Sequence, residues 1–237
     1  MGLPQFYETT VIKVGRLNEN TLLLELDVHG SFEFKAGQFV LTYVNVDGKE
    51  ENRAFSIASS PSKDTINLLI RKYDRGKVSP KLFELKEGDK LKIRGPFGVF
   101  NVKEPLPSEI VFVAGGSGIA PLRSMMHDVL EKYLDKKVTL VFGFRYEHDF
   151  FFREEIEKLV KEKQNFKSYL CSTRPSENWE YFKGRVTEVL PKIIDSNKDK
   201  HFYICGPNQM INDTLNLLIK DMGFDRDRVI IERWGVK

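Results

Sequence analysis

The stretch "AGGSGIAP", Ala114–Pro121, opens like a dinucleotide-binding glycine loop, then places proline where the third glycine of G-x-G-x-x-G would stand. It follows the apolar run "EIVFVAG" and leads into "PLRSMMHDVLEKYL", whose apolar residues recur at helical spacing. Strand, glycine loop and helix in that order begin a parallel α/β unit. Gly115, Gly116 and Gly118 let the backbone turn sharply and bring bare N–H groups to an anion. Pro121 suits the first helical position, where no N–H is needed. A pyrophosphate fits such a loop. The close-packing third glycine of a Rossmann finger is absent, however, and no acidic residue ends the next strand, where "FGFR" stands. The loop therefore belongs to another lineage of nucleotide site. From these residues alone, a glycine-rich turn with no ligand is the alternative.

Outward from this loop the chain divides into two halves of different character. Downstream, "KVTLVFGF", "FKSYLCS", "KHFYICG" and "RVIIERW" join "EIVFVAG" as short apolar runs, mostly separated by helical patterns such as "NQMINDTLNLLIKDMG". The expectation is an α/β domain with a five-stranded parallel sheet and crossover helices. Upstream, "TTVIKV", "NTLLLELDV", "GQFVLTYVNV", "RAFSIAS", "TINLLIRKY" and "DKLKIRG" are β-branched and aromatic runs parted by turn signals. Asp47-Gly48 is the strongest hairpin signal among them. Many short strands without long helices predict a small antiparallel β-barrel of Greek-key type. The stretch Lys103–Ser108, with two prolines, marks the boundary, giving expected domains 1–104 and 105–237.

Composition limits the partners. Against 34 Asp+Glu stand 37 Lys+Arg, a formal charge of +3 with the signs interspersed, which argues against nucleic acid. The first ten residues lack a signal-peptide pattern, and no later segment approaches the length of a membrane span, so a soluble, cytoplasmic protein is expected. Two cysteines, Cys171 and Cys205, are too few for a disulfide framework or an iron–sulfur cluster, so no metal site is expected in this chain.

A second stretch sharpens the reading. "RAFS" carries Arg53, Ala54, Phe55 and Ser56 on one strand, and "GKVSP" opens a short helix later in the same half. Arg53 can grip phosphate bidentately, Phe55 can lie on a planar ring, and Ser56 can hydrogen-bond a ring nitrogen. Strand alternation puts Arg53 and Phe55 on one face and Ser56 on the other, so the strand must bend to bring all three to one ligand. Ser79 reads as an N-cap with Pro80 at the first helical position. Taken singly, these stretches also fit a solvated arginine, a core phenylalanine and an ordinary cap.

The order "RAFS", "LLIRKYDRGKVS", "GPFG", "GGSGIAP", "CGP" and a terminal "ERW" resembles the ferredoxin-NADP reductase superfamily over nearly the whole chain. The resemblance implies that the barrel binds FAD, the parallel-sheet domain binds NAD(P)H, and the protein is an FAD-dependent NAD(P)H oxidoreductase. It implies that Arg53 meets the FAD pyrophosphate with Ala54 beside it, Phe55 lies against the flavin and Ser56 faces its N5. Ile70, Arg71 and Lys72 pass the flavin through their backbone, and Gly76, Lys77, Val78 and Ser79 seat the pyrophosphate. The family usually has tyrosine where Phe55 stands, so one hydroxyl contact is lost. Gly116, Ser117, Gly118, Ile119 and Pro121 fall to the pyrophosphate side of NAD(P), and Arg145, Ser172, Thr173 and Arg174 to its adenosine end. Cys205, Gly206 and Pro207 fall beside the nicotinamide, with Glu232 approaching it. Trp234 matches the aromatic residue that covers the flavin, but three residues follow it here.

What the resemblance implies chemically is hydride transfer from NAD(P)H to flavin N5, then release of electrons one at a time to a separate acceptor, an iron–sulfur protein such as ferredoxin, a flavodoxin or an oxygenase component. An electron-transfer subunit of a larger complex and a non-enzymatic nucleotide sensor are the alternatives. The choice between NADH and NADPH stays open: Arg174 could pair with a 2′-phosphate, whereas "TRPSENW" looks more like NADH-using relatives.

Overall fold

In a computed structural model, residues 4–30, 32–73 and 75–234 are described. They form two compact units, the first running to Asn101 and including Arg123–Asp128, the second comprising Val102–Leu122 and the residues from Val129 onward.

Six antiparallel strands build the first unit: β1 Gln5–Asn18, β2 Thr21–Asp27, β3 Phe39–Val46, β4 Lys49–Ser56, β5 Thr65–Arg71 and β6 Lys90–Phe97. Their order is β4-β3-β6-β1-β2-β5, with β6 returning between β1 and β3 in the Greek-key manner. Alternation decides the faces. Leu22, Leu24 and Leu26 of β2, Ile66, Leu68 and Ile70 of β5, and Leu91 and Ile93 of β6 all point into one buried core. The sheet rolls into a half-barrel whose edge strands meet through the bridge Ile57–Leu68. A short helix, α1 Val78–Leu82, inserts Val78 and Leu82 into that core. The hairpin turn is the one expected: Asp47 and Gly48 both have positive φ, and Val46 pairs with Lys49 across the two-residue turn.

The second unit holds β7 Glu109–Gly115, β8 Lys137–Phe144, β9 Phe166–Ser172, β10 Phe182–Lys183, β11 Lys200–Cys205 and β12 Val229–Glu232, every pair parallel, in the order β10-β9-β8-β7-β11-β12. The five expected strands are present. The two-residue strand β10 adds a sixth at the edge, too short for any alternation to announce it. Helices α2 Ile119–Lys132, α3 Arg153–Glu162, α4 Val186–Ile193 and α5 Asn208–Asn216 provide the crossovers. From β7 the chain proceeds to β8 and β9 on one side, and then β11 and β12 fill the other, so the order reverses between β7 and β11. Ligand crevices of open α/β sheets lie at the carboxyl ends of strands flanking such a reversal.

At the opposite, amino end of these strands a buried lysine meets two carboxylates, of which Asp195 is exposed. Lys200, 1% exposed, places Nζ 2.5 Å from Glu109 and 2.9 Å from Asp195. Thr139 donates to the other oxygen of Glu109 at 2.7 Å. Burial alone would pull the Lys200 pKa down, but its hydrogen bonds to Glu109 and Asp195 outweigh this and raise it.

Candidate functional site

In the barrel unit the "RAFS" strand lies at an open edge. Glu51, Arg53 and Phe55 project from one face of β4, opposite Val44, Thr42 and Val40 of β3. Phe55 packs at the margin of the barrel core, while Arg53 is exposed. An ion pair of 3.1 Å between Lys77 and Glu51 brings the start of α1 to this same face. The turn before α1 is closed by the Gly76 amide, which donates to the Tyr73 carbonyl at 2.8 Å. A Cβ at Gly76 would stand 2.9 Å from Ser79 Oγ and 3.1 Å from the Tyr73 carbonyl oxygen, so glycine is needed for the approach. The fold thus gathers Arg53, Phe55, Gly76 and Lys77.

Ser56 projects from the other face, opposite Phe39. The irregularity the three residues need comes one residue later: the Ile57 amide donates to the Gln38 carbonyl, but Ile57 bridges to Leu68 and the Ala58 amide donates to Asn67. The chain changes partner from β3 to β5 at that point. Ala54 is exposed opposite Leu41. Ile70 and Val78 are core residues, so only their backbones can face a ligand. Arg71 pairs with Thr21, the Lys72 amide donates to Asn20, and the Lys72 ammonium lies over the Phe83 ring.

The reading of Ser79 as an N-cap is corrected. The cap is Lys77, already in helical φ/ψ and without a side-chain hydrogen bond; Ser79 is the second residue of α1, buried, and Pro80 the third. The cause is the turn closed by Gly76, which starts the winding two residues early. Proline is tolerated at Pro80 because the first-turn amides have no intrahelical acceptor.

Beyond β7, Gly116 takes positive φ and the chain winds at once into a 3-10 turn over Gly116–Gly118 that runs into α2. Pro121 is therefore the third residue of α2, not the first. The glycines also have a second purpose. A Cβ on Gly118 would stand 2.5 Å from the Cys205 carbonyl carbon and 2.7 Å from the Gly206 amide nitrogen, with the Cys205 carbonyl oxygen closer still. One on Gly115 would meet Met210 Sδ at 2.5 Å and Pro207 at 2.8 Å, and one on Gly206 would meet Gly115 Cα at 2.9 Å. The "GGSG" and "CGP" loops are interlocked backbone to backbone at the β7–β11 reversal. Ser117 is half-buried there and Ile119 buried.

Cys205 is fully buried, level with Ala114 on β7 and Glu232 on β12. Burial, with the Glu232 carboxylate beside it, lifts its thiol well above the ordinary range. Glu232 is itself raised by burial. Burial disfavours the charged form of each relative to the free side chain. Burial likewise pushes Cys171 up to about 12, leaving only about one molecule in ten thousand as thiolate at pH 8. Neither cysteine should react with a thiol reagent in the native protein at pH 8 within minutes, while both react in denaturant. Native labelling of Cys205 would show that solvent reaches it. Trp234 follows β12 and is 37% exposed; the three residues after it lie outside the described residues.

At the ends of β8 and β9 the loops are clamped together. The Arg174 amide donates to the Arg145 carbonyl at 2.9 Å and the Thr173 amide to Phe144 at 3.1 Å. Ser172, expected to contact a ligand, is fully buried and donates to the Arg145 carbonyl at 2.9 Å, so its hydroxyl holds the loops in place. The Arg174 guanidinium donates to the Tyr146 phenol at 2.9 Å and lies over its ring. Glu147 accepts the Ser176 amide at 2.7 Å, and hydrogen bonding by the Ser176 side chain, then by its amide, holds the carboxyl below the ordinary range. Tyr146 was not singled out from the sequence, although a phenol directly after Arg145 at a strand end is a signal of such a pairing.

Two family models match: an oxidoreductase FAD-binding domain over residues 8–102 and an oxidoreductase NAD-binding domain over residues 112–216. The chain is 35% identical over 231 residues to a phenol hydroxylase P5 protein of Acinetobacter pittii, covering 95% of this chain and 65% of that protein. It is 30% identical over 211 residues to ferredoxin–NADP reductase B of Sorangium cellulosum, covering 86% of each. The chain thus spans just under two thirds of that phenol hydroxylase protein and about half the length of several other relatives it matches. A crystal structure of a Neisseria gonorrhoeae ferredoxin NADP+ reductase with bound FAD and NADP has the same fold, with a TM-score of 0.82 at 23% identity over 96% of this chain and 98% of that one. Among the described residues, no helix is long and apolar enough to cross a membrane.

Proposed function

Because the chain belongs to the ferredoxin reductase-type family of FAD- and NAD(P)-binding oxidoreductases, we propose that it oxidises NAD(P)H and hands the electrons singly to a separate protein acceptor. The relatives named as a ferredoxin–NADP reductase and as a phenol hydroxylase protein support that class of acceptor. Bound FAD supplies the conversion of a two-electron hydride into single electrons. The protein supplies position and polarity.

One observation carries the reading of the barrel unit. Arg53 and Phe55 share a face of β4, and the Lys77–Glu51 pair sets the Gly76–Lys77 turn beside it. A guanidinium fork suits a phosphate, and the phenylalanine ring offers a flat apolar surface to a flavin. Ser56, at the point where the chain leaves β3 for β5, directs its hydroxyl at flavin N5. In the second unit the interlocked glycine loops receive the coenzyme pyrophosphate, and Arg145, Thr173 and Arg174 take its adenosine end. Cys205 presents its thiol and Glu232 its carboxyl group to the nicotinamide.

The seat joins a cationic face to a separate glycine turn, so the cofactor is FAD and not FMN. Purified protein should be yellow, release FAD on denaturation, and bleach anaerobically with NADH or NADPH tested in parallel. Recovery of FMN alone would remove the assignment of Gly76–Ser79; a colourless protein that binds nucleotide would favour the sensor reading.

A further inference from the structure

The outer face of the barrel carries a patch that the cofactor reading does not use. Phe6, the second residue of β1, is 53% exposed although it is paired with Arg94 of β6. Its ring packs on Tyr43 of β3 at 5.3 Å, and Lys92 and Arg94 of β6 lie over it at 4.6 and 5.3 Å. Arg94 also lies over Phe97, which stacks on Phe39 at 5.6 Å. Alternation sends Lys92 and Arg94 outward, since Ile93 between them is buried, and the register shift between β3 and β6 at Phe39–Leu41 brings Phe97 opposite Phe39. The patch continues into the loop after β6, where Val99 is 94% exposed.

Two features make this a docking surface and not a scattering of exposed residues. The first is charge. Lys92 is partnered by Glu50 at 2.9 Å, but Arg94 has no carboxylate within ion-pair reach among the described residues and rests only on aromatic faces. An arginine set against two phenylalanine rings without a carboxylate partner can still pair with one from outside, and it carries the aromatic-plus-arginine make-up of interface centres. The second is place. Phe39, at one end of the patch, is the cross-strand partner of Ser56 on the same face, so the patch abuts the residue assigned to flavin N5.

We infer that the Phe6–Arg94–Phe97 face is where an acidic, one-electron-accepting protein docks. This inference rests on the reading of Ser56 and the FAD site given above. A carboxylate of the partner pairs with Arg94, apolar contact forms on Phe6 and Phe97, and the electron leaves from the Ser56 end of the patch. Opposite charge across the face speeds encounter and makes it salt-sensitive.

The test uses two acidic proteins as probes, a plant-type [2Fe–2S] ferredoxin and a flavodoxin, with ferricyanide as a small acceptor. Arg94→Glu and Phe6→Ser should each raise KM for the better protein acceptor about tenfold or more. The fall of the wild-type rate with ionic strength should flatten in Arg94→Glu, while FAD content and NAD(P)H–ferricyanide turnover hold. Unchanged KM in both variants overturns the inference, as does a wild-type protein that reduces neither probe. A wild-type dimer that Arg94→Glu turns into monomer also overturns it, because the face then meets a second copy of the chain. Failure of the underlying reading appears separately, as wild-type protein that lacks FAD or does not reduce ferricyanide.

Discussion

Gly118→Ala is expected to lower the stability of the C-terminal unit by about 3 kcal/mol or more. The added Cβ falls 2.5 Å from the Cys205 carbonyl carbon and 2.7 Å from the Gly206 amide nitrogen. These are backbone atoms at the end of β11, which is hydrogen-bonded to β7 on one side and β12 on the other. Gly206 cannot retreat, because Gly115 and Met210 already stand against it. No rotamer change relieves such a clash. Gly15→Ala is the control: its Cβ meets only the Leu23 carbonyl oxygen at 3.8 Å and Leu23 Cβ at 4.0 Å, and it should change stability by less than about 1 kcal/mol. Thermal melts of both variants check the pair. If Gly118 served coenzyme binding alone, Gly118→Ala would melt like wild type and lose only affinity for NAD(P).

The largest catalytic effect is expected at Ser56. Ser56→Ala should slow reduction of the bound flavin by NAD(P)H about tenfold to a thousandfold, the range for losing one well-placed hydrogen bond to a reacting centre. FAD content should hardly change, because Arg53, Phe55 and the Gly76–Lys77 turn remain. The position also tolerates the change structurally: Ser56 is half-buried, and its hydroxyl has no hydrogen-bond partner among the described residues. Stopped-flow bleaching with each coenzyme separates the outcomes. A wild-type rate in the variant would refute the role; loss of FAD would mean that Ser56 holds the cofactor and does not orient it.

The architecture could be read from local signals wherever one face of an element is buried. In β6, Leu91 and Ile93 alternate with Lys90, Lys92 and Arg94 because the barrel has a wet side, in β2 and β5 the same pattern is interrupted at Leu23 and Leu69, and Asp47-Gly48 accepts the positive φ its turn demands. In β7 and β11 the apolar residues run without a break because both faces are covered, and turn residues at either end mark the strands. The two-residue strand β10 has no such pattern. Ser79 misled because Ser-Pro is a strong helix-start signal, whereas the true start was set by the glycine turn before it. The glycine loop showed that the backbone must come close to something. It could not show that part of that something is Cys205 and Gly206, about ninety residues away, since contact at that separation leaves no mark on local spacing. Ser172 is the converse case: a hydroxyl at a strand end suits a ligand as well as a neighbouring carbonyl, and only the fold decides for Arg145.

The buried Lys200 and its two carboxylate partners have a bearing on the glycine loops at the far end of the sheet. Hydrogen bonds between parallel strands repeat identically every two residues, so nothing in the backbone forbids β11 from sliding along β7 by one such step. Lys200 supplies a unique notch. It is level with Glu109, and a two-residue slide would set its ammonium beside Val111, stranding a charge in the interior at a cost of several kcal/mol. The same notch indexes the rest of β11, five residues on, so that Cys205 stops level with Ala114 and Gly206 arrives where Gly115 and Gly118 leave room for it. The two loops at the ligand end are thus aligned lengthwise by a charge at the other end, as one mark on a vernier sets every division beyond it.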